Sequence, residues 1–250
     1  MIQSSTMPDE GIIKDSVIAM MNKESLKDNV VPIMMGLKAR GEEIRNGRVP
    51  TDNSRIEGMK DVTVVPGLLM KGPGGGAAKV VIGSDILEAC GMTRNEVFSA
   101  AYKNLDAGEV IIRSMFDLEK VFTMPGGFDA LDCLTVDDLT DDDLQMYFIT
   151  NKDGFFGAMS LFGNDTVKRI GEKLGDYYII PSSIHEMIIV KKTDGMEPDF
   201  VIDMIRQIND NVVDDKDILS YELYQYDAAS GRVITCESGA ERQQDFGAER

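Results

Sequence analysis

The chain has 250 residues, 43% of them hydrophobic and 28% charged, with 24 glycines and 8 prolines. That length and ordinary globular composition exclude collagen-like, mucin-like and wholly disordered chains, and leave room for one large domain or two of ordinary size. The formal charge of −17 at pH 7 repels phosphate backbones and anionic membrane surfaces at long range, which argues against a nucleic-acid or membrane partner.

The N-terminal residues lack a basic segment followed by an apolar one, so no secretory signal is expected, and no stretch has the roughly 20 apolar residues of a membrane-spanning helix. Cys90, Cys133 and Cys236 are odd in number and have no CxxC spacing, which speaks against a disulfide framework or a cysteine-rich zinc site. Reduced thiols in a cytoplasm fit better. His185 is the single histidine, so any mechanism requiring two is excluded.

In chain order, residues 1–55 read as a helical N-terminal segment. Met20, Met21, Leu26, Val30, Ile33, Met34 and Leu37 recur at loosely helical intervals, with Pro32 tolerated in a first turn. Residues 47–54 are rich in turn formers. A first α+β lobe is expected over 56–122. It has strands around 62–70 and 77–82 joined by the glycine cluster 72–76, and a short helix opened by Ser84 and Asp85. A longer helix then starts with Thr93 and Glu96 spaced as a capping box, and a strand follows at 110–112. Residues 123–145 combine Pro125, Gly126 and Gly127 with Asp137, Asp138 and Asp141 to Asp143, and are expected to be an acidic linker.

The second lobe is expected over 146–236. A strand at 146–150 turns at Asp153 and Gly154 into a second strand at 155–162. Asn164 or Asp165 then caps a helix closed by Gly175. Strands at 177–180 and 186–191 flank residues 181–185. A helix opens at Pro198 and buries Val201, Met204, Ile205, Ile208 and Val212, and a hairpin closes the lobe at 223–235. The tail 237–250 is expected to be disordered. The glycines before a strand and around a short helix recur in the same order, with an 80-residue offset across the helix cap and its closing glycine, suggesting a divergent internal repeat. The fold class is therefore α+β: two small lobes, each a mainly antiparallel sheet packed with helices.

The residues Gly157 and Ala158, Gly171 to Gly175, Tyr178 to Glu186, and Tyr224 to Asp227 resemble the bacterial family known as domain of unknown function 5688 (DUF5688). The likeness spans roughly residues 29 to 235 and is most specific from 146 to 227. It implies a bacterial cytoplasmic protein, and it brings no assigned activity or catalytic residue. Members of the family are usually longer at the N-terminus, which implies a chain truncated or divergent there.

The sharpest chemical cluster is Ser182, Ser183, Ile184, His185 and Glu186. Ser183 and His185 lie on one face of an extended segment and could pair as nucleophile and base. Glu186 then points away, so an orienting acid is expected from the first lobe. No G-x-S-x-G elbow surrounds either serine. The competing reading is a strand-connecting turn whose hydroxyls bond the backbone. The glycine cluster 72–76 leads into a strand and lacks a Walker Gly-Lys-Ser/Thr, and the aspartates 137–143 lack calcium-loop spacing, so neither a cofactor nor a metal is expected. The sixteen methionines, among them Met20, Met21, Met34, Met35 and Met59, are the best pointer to a protein partner. The expected function is a non-enzymatic binding or regulatory module. The alternatives are a hydrolase-type enzyme using Ser183 and His185, and a small-molecule sensor binding between the lobes.

Overall fold

A computed structural model describes residues 21–37, 41–71, 77–114, 133–140, 146–211, 213–215 and 217–236. Met20, the glycine cluster 72–76, the turn at 125–127, the aspartates 141–143, Val212 and the tail 237–250 lie outside them.

The class is α+β, as expected, with two antiparallel sheets carrying helices. The three-stranded sheet has the order β1 (Val30–Gly36), β2 (Val62–Lys71), β3 (Ala77–Val81). Helix α1 (Lys23–Asn29) precedes it and α2 (Gly41–Arg45) follows β1, while α3 (Ser84–Ala89) and α4 (Arg94–Ala107) follow β3. The six-stranded sheet is formed by β4 (Val110–Ser114), β5 (Met146–Asn151), β6 (Tyr177–Ile180), β7 (Met187–Lys191), β8 (Tyr224–Asp227) and β9 (Arg232–Thr235), in the order β4-β5-β7-β6-β8-β9. Helices α5 (Thr166–Leu174) and α6 (Pro198–Asn211) belong to this half. Strand β4 precedes the acidic stretch in sequence yet pairs with β5.

The helix expected across the N-terminal segment ends at Asn29, and residues 30–36 are a strand instead. Both faces of β1 are buried: Val30 and Met34 enter the main core, whereas Ile33 and Met35 join a smaller cluster with Val49 and Val65. A run apolar on both faces carries no period of two, so its spacing mimics a helix. Pro32 sits opposite Pro66. Because the Pro66 carbonyl accepts from Ile82 on the β3 side, the two prolines form a non-hydrogen-bonded pair across β1 and β2. Neither missing N–H is then needed between these strands, and Pro32 lies on an edge strand.

Residues 155–162, expected as a strand, contain instead the 3-10 helix Gly157–Phe162, all six residues of which are buried. Strand β5 pairs with β4 and β7. The proposed repeat loses its equivalence here, since Ala77 opens a strand where Ala158 lies in a helical turn. Asp165 occupies the position before α5 but makes no side-chain cap, and the Asn164 side chain bonds Asp106 instead. Gly175, at φ +72°, closes α5 as expected.

One apolar core joins the inner faces of both sheets. It gathers Val62, Val64 and Leu68 from β2, Val97, Phe98 and Ala101 from α4, and Tyr147, Ile149, Tyr177, Ile179, Ile189 and Tyr224 from the larger sheet. The outer face of the larger sheet, with Tyr178, Ile180, Ile188 and Val190, is covered by Val201, Ile202 and Ile205 of α6. Met34, Met35 and Met59 are all buried core residues, so this part of the methionine set fills space and does not form a surface.

Thr93 and Glu96 form the expected capping box, and Lys23 adds an ion pair to Glu96 at 2.7 Å. The lysine, with the Thr93 amide and hydroxyl, lowers the Glu96 carboxyl from its ordinary 4.5 to about 2. A depressed carboxyl pKa stabilises the fold above the unfolded value, and that contribution is lost as pH falls through the folded one. The stability difference between wild type and Glu96→Gln, measured by urea unfolding, should therefore be constant above pH 4.5 and shrink between there and pH 2. A difference independent of pH would contradict it. Gly171 supports a second prediction. A Cβ there would lie 2.0 Å from the Tyr226 ring, which is stacked on Tyr177 with centroids 5.2 Å apart. Gly171→Ala should lower stability by roughly 1–3 kcal/mol through overpacking, read by chemical denaturation.

Candidate functional site

Ser182, Ser183, His185 and Glu186 occupy the connection between β6 and β7. The Ser183 hydroxyl donates to Glu186 Oε1 at 2.9 Å and accepts the backbone N–H of His185 at 3.0 Å. The Ser182 hydroxyl points to the same carboxylate oxygen at 3.4 Å. Glu186 therefore faces the serines rather than away from them, because the chain turns here and does not run extended. Both serines are buried and their hydroxyls serve the turn.

The imidazole of His185 is engaged elsewhere. Its Nδ1 accepts the backbone N–H of Phe156 at 3.1 Å, and its Nε2 lies 3.6 Å from Asp217 Oδ2. The nearby acid thus comes from the segment after α6, not from the first lobe. The rings of Phe155 and Phe156 flank the imidazole at 5.9 and 5.1 Å, and Lys79 Nζ stands 5.1 Å from the Phe156 ring centroid. Phe156 adopts φ +52°, a left-handed conformation that costs a residue with a side chain roughly 1–2 kcal/mol. The His185 carbonyl accepts from Thr150 Oγ1 at 2.8 Å and from Gly157 N–H at 3.0 Å. A Cβ at Gly157 would lie 2.3 Å from that threonine oxygen, so only glycine fits there.

A second feature has no contiguous motif in the sequence. A cleft of about 840 Å³ opens between the loop 54–58, the end of α4, the start of α5 and the β8–β9 hairpin. Arg55 and Asp106 brace one wall through paired contacts of 2.5 and 2.7 Å, and the guanidinium also donates to the Phe162 carbonyl. The Asp106 carboxylate is held below the usual range, mainly by Arg55, and the Arg55 guanidinium is raised in return. Arg55 lies over the Tyr102 ring at 4.6 Å, and burial pushes the Tyr102 phenol up to about 12. Asp106 also accepts the Asn164 N–H at 3.0 Å, which fixes the chain where Asn164 and Asp165 are both left-handed before α5. Lys168 and Arg232 bring exposed cationic side chains to the rim, and Ile234 an exposed apolar one. These residues are spread from 54 to 234, and no local motif joins them. Among the described residues, no three His, Cys, Asp or Glu side chains are placed to hold a metal ion, and no helix is long and apolar enough to cross a membrane.

The roles of the two serines differ enough to test. Ser183→Ala removes the acceptor of one backbone N–H and a donor to Glu186, and should cost about 1–3 kcal/mol of stability. Ser182→Ala, which removes only the longer contact, should cost less. Equal losses in chemical denaturation would contradict this geometry.

Neither a curated protein nor a solved structure matches the chain. A protein-family model does match residues 50–228, a span that holds the whole 182–186 turn and all of the cleft lining except residues 231–234. By that match, which covers more than half of its residues, the chain belongs to the family of unknown function DUF5688.

Proposed function

We propose that the protein is a non-enzymatic binding module that takes a small polar molecule in the cleft between the 54–58 loop, α5 and the β8–β9 hairpin. The observation that carries this reading is the cleft itself. Its volume of about 840 Å³ is within the range of small-molecule sites, and charged, polar and apolar side chains share its wall. One wall is preorganised, because Asp106 fixes both Arg55 and Asn164 before any ligand arrives. The hydrolase alternative finds less support. It needs the Ser183 hydroxyl on the imidazole, and that hydroxyl is spent on Glu186 and a backbone amide. A net charge of −17 favours a small molecule over nucleic acid or an anionic membrane as the ligand. Three cysteines not joined in disulfides, two of them buried, suit a reducing bacterial cytoplasm.

The test is a screen of polar metabolites against the isotopically labelled full chain, read by amide chemical shifts. At least one compound should shift residues 164–168 and 231–234 together. Lys168→Glu with Arg232→Glu should change its affinity at least tenfold while altering stability by no more than about 0.5 kcal/mol, since both side chains are exposed. A screen with no cleft-directed shifts, or with binding centred elsewhere, would overturn the assignment.

A further inference from the structure

His185 and Phe156 form a contact that depends on the protonation state of one atom. A backbone N–H can only donate, so the 3.1 Å contact from Phe156 requires Nδ1 of His185 to be an unprotonated acceptor. The ring proton of the neutral imidazole then sits on Nε2, on the side of Asp217 at 3.6 Å. Turning the ring over would put a C–H against the Phe156 amide, so the contact also fixes the ring orientation. An imidazolium has no acceptor, and a proton on Nδ1 would meet the Phe156 N–H head on.

We propose that His185 is a proton-operated latch: a proton taken from solvent onto Nδ1 displaces the Phe156 amide and loosens the start of the 3-10 helix Gly157–Phe162. Three features make this a latch rather than an ordinary surface titration. Phe156 is held in a left-handed conformation at the turn it opens, and losing the acceptor removes one of the bonds that keep it there. The charged groups around the ring are of both signs: Asp217 faces Nε2, Lys79 stands over the adjoining Phe156 ring, and the Glu186 carboxylate is occupied by Ser183. The imidazole is also partly open to solvent, with 23% of its side chain exposed, so the proton has a path. The far end of the same helix holds Phe162, whose carbonyl is bound by Arg55 at the cleft wall. A loosened helix start is therefore connected to the cleft through a single buried segment. The latch does not depend on what the cleft binds.

The chain has one histidine, so its ring signals can be followed without ambiguity. Labelled full-length protein is titrated from pH 8 to pH 5, the range in which an imidazole exchanges its proton. The imidazole nitrogen shifts and the amide exchange of Phe156 and Gly157, corrected for intrinsic pH dependence, are recorded together. The expected result is the Nε2–H tautomer at pH 8, and a loss of Phe156 protection of tenfold or more with the same midpoint as the ring, while amides in the middle of α4 keep theirs. His185→Leu, which has no acceptor, should show weak protection of Phe156 at every pH. Should that variant not fold, the wild-type titration decides alone. The Nδ1–H tautomer at pH 8, a ring that does not titrate in this range, or a ring that titrates with Phe156 protection unchanged would each overturn the proposal.

Discussion

The 3-10 helix Gly157–Phe162 is the constraint around which the molecule is assembled. Six consecutive buried residues bring their backbone polar groups out of water, and each unpaired group would cost about 1–3 kcal/mol. The chain meets that demand from several directions. The His185 and Ile184 carbonyls accept from Gly157 and Ala158, the Ser160 carbonyl accepts from Gly163, and Arg55 binds the Phe162 carbonyl. The partners come from the β6–β7 connection and from the loop ahead of β2. The segment is therefore satisfied only when both halves of the chain are in place, and the same contacts set the positions of His185 and of the cleft wall.

Acidic residues do much of the joining, which gives the large negative charge a structural side. Asp61, just ahead of β2, accepts hydrogen bonds from Ser220 and from the Tyr224 hydroxyl in the larger sheet. Burial and that carboxylate raise the Tyr224 phenol above its ordinary value, so it stays a neutral donor. Asp106 joins α4 to the start of α5, and Asp176 holds Gln225 and the Ala228 amide at the β8–β9 hairpin. A carboxylate has two oxygens and about four acceptor sites, so one side chain can tie together several donors from distant parts of the chain. The excess of Asp and Glu is partly a solvated surface and partly a set of such ties.

Local rules were legible in the sequence where the local chain decides the outcome. The Thr93–Glu96 capping box, the closure of α5 by Gly175 and the final hairpin all depend on a few neighbouring residues. The errors fall where burial on both sides erases the pattern. Residues 30–36 and 157–162 are apolar almost without interruption, and such runs cannot be sorted into strand or helix by period. The 182–186 stretch is legible as a chemical cluster, and so is its backbone-bonding alternative, but the turn reverses the expected direction of Glu186. The cleft left no trace, because Arg55, Asp106, Lys168 and Arg232 meet only through the tertiary fold. Asp217, likewise, lies 32 positions from the histidine it faces.

The family match and the physical unit do not coincide. Residues 50–228 contain β2 to β8 but omit β1 at one end and β9 at the other. Without α1 and β1, strand β2 would lose its partner along residues 62–68, and the core would lose Leu26 from the helix and Val30, Ile33, Met34 and Met35 from the strand, each almost wholly buried. At roughly 1.5–3 kcal/mol for each large apolar side chain, that exceeds what a small domain has to spare. Without β9, strand β8 would become an open edge and the cleft would lose the wall formed by Arg232, Val233 and Ile234. A piece of this chain that keeps both sheets and the cleft wall therefore includes α1 through β9, and a binding function assigned to the matched span alone would be assigned to an incomplete cleft.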